Sequence, residues 1–345
     1  MLNILAVILV FGGIVLIHEF GHFLFAKLNG IGVVEFAIGM GPTLFSIKKG
    51  ETKYSVKLLP IGGFCMMVGE DQNDQSENSF SKKSVWARMS VVLAGPIFNF
   101  LLAFLLAMIL VANLGYDSPR LTGVTEGYSA AEQGMQEGDV ITKINNQSIR
   151  LYRDVTMYLY FHPQEALDVE YMRNGTIHEA HLTPKYSEET GSYRLGIVVS
   201  GVRTPAKNVF EIVRYGAYEV RFWIQNVVQS LLYALRGQVS SEEIGGPVRI
   251  VGMIGSTVQE SKSYGWEVML LSLANISVLL SANLGVMNLL PIPALDGGRF
   301  LFMLIEAVRG KPIDPEKEGF VHMIGFGFLM VLMVFLLFND IRNLI

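Results

Sequence analysis

His18-Glu19-Phe20-Gly21-His22 places two imidazoles and a carboxylate on one turn, inside the first long apolar stretch of the chain. On a helix, residues four apart lie about 40° from each other around the axis, so both rings can face one metal ion with Glu19 beside it. The chemistry this suits is a zinc-activated water with a carboxylate base. The bland alternative is a buried polar network that packs helices, but three ionisable groups on one turn within lipid are costly.

Two histidines do not complete such a site, because a catalytic zinc keeps three protein ligands and an open fourth position. The chain has one cysteine, Cys65, which excludes an intrachain disulfide and any Cys-rich zinc site. The candidate third ligand is Asp296, in Asn288-Leu289-Leu290-Pro291-Ile292-Pro293-Ala294-Leu295-Asp296-Gly297-Gly298. Its two prolines end a helix, and its glycines permit a tight turn that aims the carboxylate back among the helices. Read alone, Asp296 is also compatible with an ordinary turn aspartate.

The elements that must position these groups are membrane helices. Of 345 residues, 51% are hydrophobic and 17% charged, and the mean hydropathy is +0.39, too apolar for an ordinary soluble domain of this length. Four segments, 2–26, 89–114, 268–290 and 319–338, are long enough to cross a hydrocarbon core that needs about 20 apolar residues. The first lacks a basic leader region and a small-residue cleavage site, so it reads as a retained span. Lysines and arginines concentrate between spans one and two and between spans three and four, which places both connections in the cytoplasm and the two termini outside. The net charge of -4 and the absence of a basic run argue against a nucleic-acid partner.

In that arrangement spans one and three run in the same direction. His18, about 25 Å along its helix in a core about 30 Å thick, and Asp296 then reach similar depth near the cytoplasmic side. Between spans one and two, 44–48 and 52–59 read as a hairpin around Lys49-Gly50-Glu51. Short strands and turns over 117–200 mark a compact, mainly β insert, and 208–235 reads as an interfacial amphipathic helix because Glu211, Arg214, Glu219 and Arg221 interrupt its apolar run.

With the residues in place, a family resemblance follows. His18-Glu19-x-x-His22, together with Asn288-x-x-Pro291-x-Pro293-x-Leu295-Asp296-Gly297, resembles the site-2 protease family of intramembrane metalloproteases, in its bacterial branch. Gly95-Pro96-Ile97-Phe98-Asn99, Gly245-Gly246-Pro247 and Leu337-Phe338-Asn339-Asp340 extend the likeness over most of the chain. The segment 129–146 resembles a PDZ domain of the bacterial protease type; there is room for one such domain where some members carry two. The resemblance implies Zn2+ held by His18, His22 and Asp296, with Glu19 as general base. It also implies substrate-positioning roles for Asn288, Pro291 and Pro293, and transmembrane protein substrates such as an anti-sigma factor or a remnant signal peptide.

The expected fold class is thus a polytopic α-helical membrane protein with four transmembrane helices, a cytoplasmic-side β-hairpin and an inserted PDZ-like domain. Its expected segments are a first span over 1–28, a membrane-associated hairpin loop over 29–88, and a second span over 89–116. The outward PDZ-like domain follows over 117–200, then an interfacial helix and linker over 201–265, a third span with the Asp motif over 266–298, a cytoplasmic loop over 299–318, and a fourth span and tail over 319–345. The expected location is the bacterial inner membrane, with the bilayer and a peptide ligand of the PDZ-like domain as further partners. An ion-coupled transporter and a membrane scaffold remain open as alternatives, since intramembrane His and Glu also serve carriers. His162, His178, His181, His322 and Asn99 read as solvated, interfacial or packing residues.

Overall fold

A computed structural model describes the chain over residues 2–70, 74, 76–188, 190–199, 201–239, 245–311, 313 and 315–344. Among these residues, four helices are long and apolar enough to cross a membrane. The chain divides into two compact units, residues 1–106 with 238–345, and residues 107–237.

The first unit opens with helix α1 (Leu2–Leu28), which carries the His-Glu cluster. Two long strands follow, β1 (Val33–Lys49) and β2 (Thr52–Met67), longer than the alternating pattern alone indicated. They bend along their length. Tyr54 pairs with Ile47 on one side and Phe36 on the other, and Phe36 also pairs with Cys65. The pair therefore lays four short limbs side by side in the order 45–49, 52–57, 35–38, 63–67. Helix α2 (Val85–Leu114) follows, with Pro96 inside it. Ala26, Ile31, Val33, Phe36, Met67, Val91, Val92 and Met303 form one buried cluster that joins α1, the strands and α2.

The second unit combines a β-rich region over 117–200 with a long helix. It comprises β3 (Gly123–Val124), α3 (Ser129–Glu132), β4 (Val140–Ile144), β5 (Gln147–Ser148), α4 (Tyr152–Phe161), β6 (Leu167–Arg173), β7 (Thr176–Leu182), β8 (Lys185–Ser187), β9 (Ser192–Arg194), β10 (Ile197–Val198) and α5 (Val209–Leu235). A four-stranded sheet has the order β5-β4-β6-β7, with β10 paired to β3 and β8 to β9. Period-two alternation turns Leu167, Val169 and Tyr171 inward, where they pack with Ile141, Ile144, Ala180 and Leu182. Asn145 and Asn174 take positive φ at the tight turns, as asparagine does at low cost.

Helix α5 belongs to this unit, so the compact region is larger than the expected 117–200. Phe222 packs on Leu151 and Met157. Arg153 pairs with buried Glu219, and Arg221 donates to buried Asp154 at 2.5 Å. Two of the charges that suggested an interfacial polar face are therefore contacts with α4.

The chain then returns to the first unit through α6 (Pro247–Lys262), α7 (Trp266–Asn288), α8 (Asp296–Arg309) and α9 (Pro315–Leu344). Two expectations are corrected here. Within 201–265, the stretch read as linker contains α6, whose Ile254 and Val258 are buried against Ala6, Val10 and Ile14 of α1 and Leu273 and Ile276 of α7. Residues 240–244 of that stretch lie outside the described residues. The loop expected over 299–318 is largely α8, an amphipathic helix too short and too charged to register as a span. Asp340 near the end of α9 accepts from the backbone N–H groups of Gly246, Val248 and Arg249 at 2.7, 2.9 and 3.0 Å. One carboxylate thereby satisfies three of the free donors at the start of α6.

Candidate metal centre

Two elements of the first unit bring the donors together. His18 and His22 are buried on one face of α1, and Asp296 is the first residue of α8. The Nε2 atoms of the two histidines are 3.2 Å apart, and Asp296 Oδ2 lies 3.3 Å from His18 Nε2 and 3.4 Å from His22 Nε2. Tetrahedral donors at zinc's usual ~2.0–2.1 Å would stand about 3.3–3.4 Å from one another. The three side chains thus already have the edge lengths of three corners of a zinc tetrahedron. Asp296 Oδ2 is buried with no hydrogen-bond donor, which an ion in this triangle would remedy. The donor set fits zinc.

Neighbouring groups fix the rings. His22 Nδ1 donates to the Val91 carbonyl of α2 at 2.9 Å, which leaves Nε2 unprotonated and facing the triangle. Pro96 of the same helix has no N–H for the Val92 carbonyl, which loosens α2 next to Val91. His18 Nδ1 meets the amide of fully buried Asn99 at 3.1 Å, with the Asn99 Oδ1 otherwise unpartnered. Turning that amide over brings Oδ1 to the ring as an acceptor and puts the proton on Nδ1, the tautomer that frees Nε2 for a metal. Ser281 of α7 donates to the Asn99 carbonyl at 2.8 Å, so α7 steadies α2 at this level.

Asn99 was read from sequence as a packing residue. Its position four after Gly95 was the available signal, because both then face α1. A Cβ at Gly95 would overlap His22 Nε2 and stand 2.8 Å from His18 Cε1, so only glycine lets α2 approach the imidazoles.

Glu19 is half-buried next to His18. On the strand side, a Cβ at Gly63 of β2 would lie 3.3 Å from Glu19 Cγ, so the 63–67 limb borders the site. Asn288, the last residue of α7, places its amide nitrogen 3.3 Å from His18 Nε2. Pro291 and Pro293 lie in the turn between α7 and α8, where they make no contact with the triangle that the distances above record, but shape the chain that delivers Asp296.

A cleft of about 1190 Å³ opens beside this turn. Ala294, Glu70, Arg88, Arg299, Glu306 and His322 are among its walls. Arg299 pairs with Glu70, and Arg88 with Glu306, which tie α8 to the strand region and to α2. Sequence reading gave His322 no role, yet its Nδ1 accepts from the Ala294 N–H at 2.8 Å. His162, His178 and His181 lie in the second unit, and none belongs to the candidate metal group found among the described residues.

Membrane-length helices beside a His-His-Asp cluster able to hold a metal ion define a class of membrane metalloprotein to which the chain can be compared. Its sequence matches Peptidase family M50 over residues 6–332, and the chain belongs to that family. It is 39% identical over 339 residues to a putative zinc metalloprotease of Clostridium acetobutylicum, covering 98% of this chain and 97% of that one. It is 33% identical to the regulator of sigma-W protease RasP of Bacillus subtilis and 32% identical to the probable protease eep of Enterococcus faecalis, each over 99% of both chains. A PDZ domain of an SdrC-like protein from Listeria monocytogenes aligns with 24% of this chain and 86% of its own length, at 20% identity and a TM-score of 0.21. The protein is a zinc metalloprotease of the site-2 type.

Proposed function

We propose that this chain cuts single-pass membrane proteins within their transmembrane segments, with His18, His22 and Asp296 holding zinc and Glu19 as general base. The observation that carries this reading is the donor triangle of 3.2, 3.3 and 3.4 Å on a membrane-length helix. Zinc bound there supplies Lewis acidity toward the scissile carbonyl and lowers the pKa of water. The Glu19 carboxylate takes the proton of the attacking water and passes it to the leaving nitrogen. Val91 and Asn99 hold the histidine tautomers through both proton transfers.

A transmembrane helix shields its carbonyls with internal hydrogen bonds, so the substrate must unwind before it is cut. The hairpin over 44–59 offers one strand edge on which the unwound segment could be captured. The contact of Gly63 with Glu19 favours the 63–67 limb instead, because strand addition there delivers a peptide bond beside the base. Asn288 is suited to hold substrate backbone, and Pro291 and Pro293 to keep the adjoining turn rigid. The positive-inside pattern supports a cytoplasmic position for the strands and α8, in a bacterial inner membrane, with the second unit outward. That unit reads as a PDZ-like domain that receives a peptide; its four-stranded sheet beside α4 supports this. Anti-sigma factors and remnant signal peptides are the substrate classes proposed.

The test is cleavage of a transmembrane substrate by purified protein in lipid nanodiscs. Wild-type activity should disappear with phenanthroline, and Glu19→Gln should lower kcat by about 10²–10⁴-fold while zinc stays bound. Equal rates for the variant and wild type would overturn the mechanism.

A further inference from the structure

The turn over 289–295 reverses the chain between α7 and α8 and delivers Asp296, and its backbone donors can be accounted for one by one. Pro291 and Pro293 have no N–H. Leu289 and Leu290 donate back to Val286 and Met287, Ile292 donates to Leu290 at 2.7 Å, and Leu295 donates to Ile292 at 3.2 Å. Ala294 alone sends its N–H outside the turn and α7, to His322 Nδ1 of α9 at 2.8 Å. Ala294 is also the one non-glycine of this turn with a positive φ, 77°, a conformation that costs an alanine about 1 kcal/mol or more. One helical turn beyond His322, Gly325 meets Pro293 so closely that a Cβ would come within 2.7 Å of the Pro293 carbonyl carbon. The imidazole is itself held, with the Phe302 ring of α8 at 5.5 Å and Glu318 Oε1 3.7 Å from Nε2. Because Nδ1 accepts, Nε2 carries the proton and faces Glu318.

We propose that His322 is a positioning residue for Asp296: by accepting the Ala294 N–H it holds the strained turn that aims the Asp296 carboxylate at the two imidazoles. This rests on the metalloprotease reading above. Ala294 lines the cleft and is exposed, so water can solvate its N–H when the ring is removed. Loss of the ring then loosens the turn without unfolding the helices around it. A displacement of the carboxylate by a fraction of an ångström spoils a triangle whose edges must match the ion.

The test uses full-length protein in nanodiscs, reading zinc retention against a chelator together with kcat and KM on a transmembrane peptide. His322→Ala should lose zinc about 10–100-fold more readily, with kcat falling by a similar factor and KM within twofold of wild type. His322→Asn, whose Oδ1 replaces Nδ1 as acceptor, should restore most of both. Gly325→Ala, which pushes on Pro293, should reproduce the His322→Ala defect. Gly327→Ala, which meets open space on the same helix, should behave as wild type. Unchanged zinc retention in His322→Ala, or no rescue by His322→Asn, overturns the inference. Should His322→Ala fail to fold, Gly325→Ala decides, and retention equal to that of Gly327→Ala overturns it. Wild-type protein that holds no zinc would instead sink the metalloprotease reading itself.

Discussion

At the scale of single residues, the centre depends on groups that never touch the ion. His22 is oriented by a backbone carbonyl, which substitution cannot remove, whereas His18 depends on the side chain of Asn99. Asn99→Ala should therefore cost about 10–100-fold in zinc affinity, measured by competition with a fluorescent chelator, while Ser281→Ala, one bond further out, should cost less. The candidate donors could be picked out from sequence because two histidines four apart and an aspartate after a proline-rich turn constrain geometry through local spacing. Asn99 and His322 could not, because their meaning depends on which helices meet, and local spacing carries no such information.

At the scale of elements, close approach of α1 and α2 is what brings the imidazoles under Asn99 and Val91. Gly95→Ala should lose metal and activity together, since the added methyl would occupy the space of both rings. Helix content by far-UV circular dichroism should stay at the wild-type level, because alanine suits a helix better than glycine. The four membrane-length helices could be read from apolar length alone. Helix α6 and helix α8 could not, since each is short, mixed in polarity and stabilised by neighbours. The long strands β1 and β2 were read as a short hairpin because the bends at Gly39 and Gly62, both at positive φ, break the period-two pattern on which such a reading relies.

At the scale of the whole molecule, the second unit carries an acid-sensitive contact of its own. In the second unit, burial alone would raise the Asp139 carboxyl, but Arg173 and the Gln136 N–H outweigh it and hold the group below the usual carboxylate range. A depressed native pKa gives stability that is complete above the ordinary aspartate value of about 4 and fades as pH falls through the lowered one. Protection factors for hydrogen exchange at β4 and β6 in the full-length protein should accordingly fall in that acid window. Asp139→Asn should be less protected at pH 7 and should lack that part of the pH dependence. The β-rich character of the second unit's 117–200 region was plain from short strands and turn residues. Its inclusion of α5 was hidden, because buried ion pairs such as Arg153 with Glu219 look in sequence like a solvated face.

The carboxylate of Asp340 on the start of α6 has a consequence for biosynthesis. Ribosomes release the chain from its first residue, and Gly246 precedes Asp340 by 94 positions. At ~5–20 residues per second, α6 must wait about 5–20 s with bare N–H groups before its partner is made. A nascent or truncated polypeptide that stops short of Asp340 would expose that unfinished helix end, a flaw for membrane quality-control proteases to recognise.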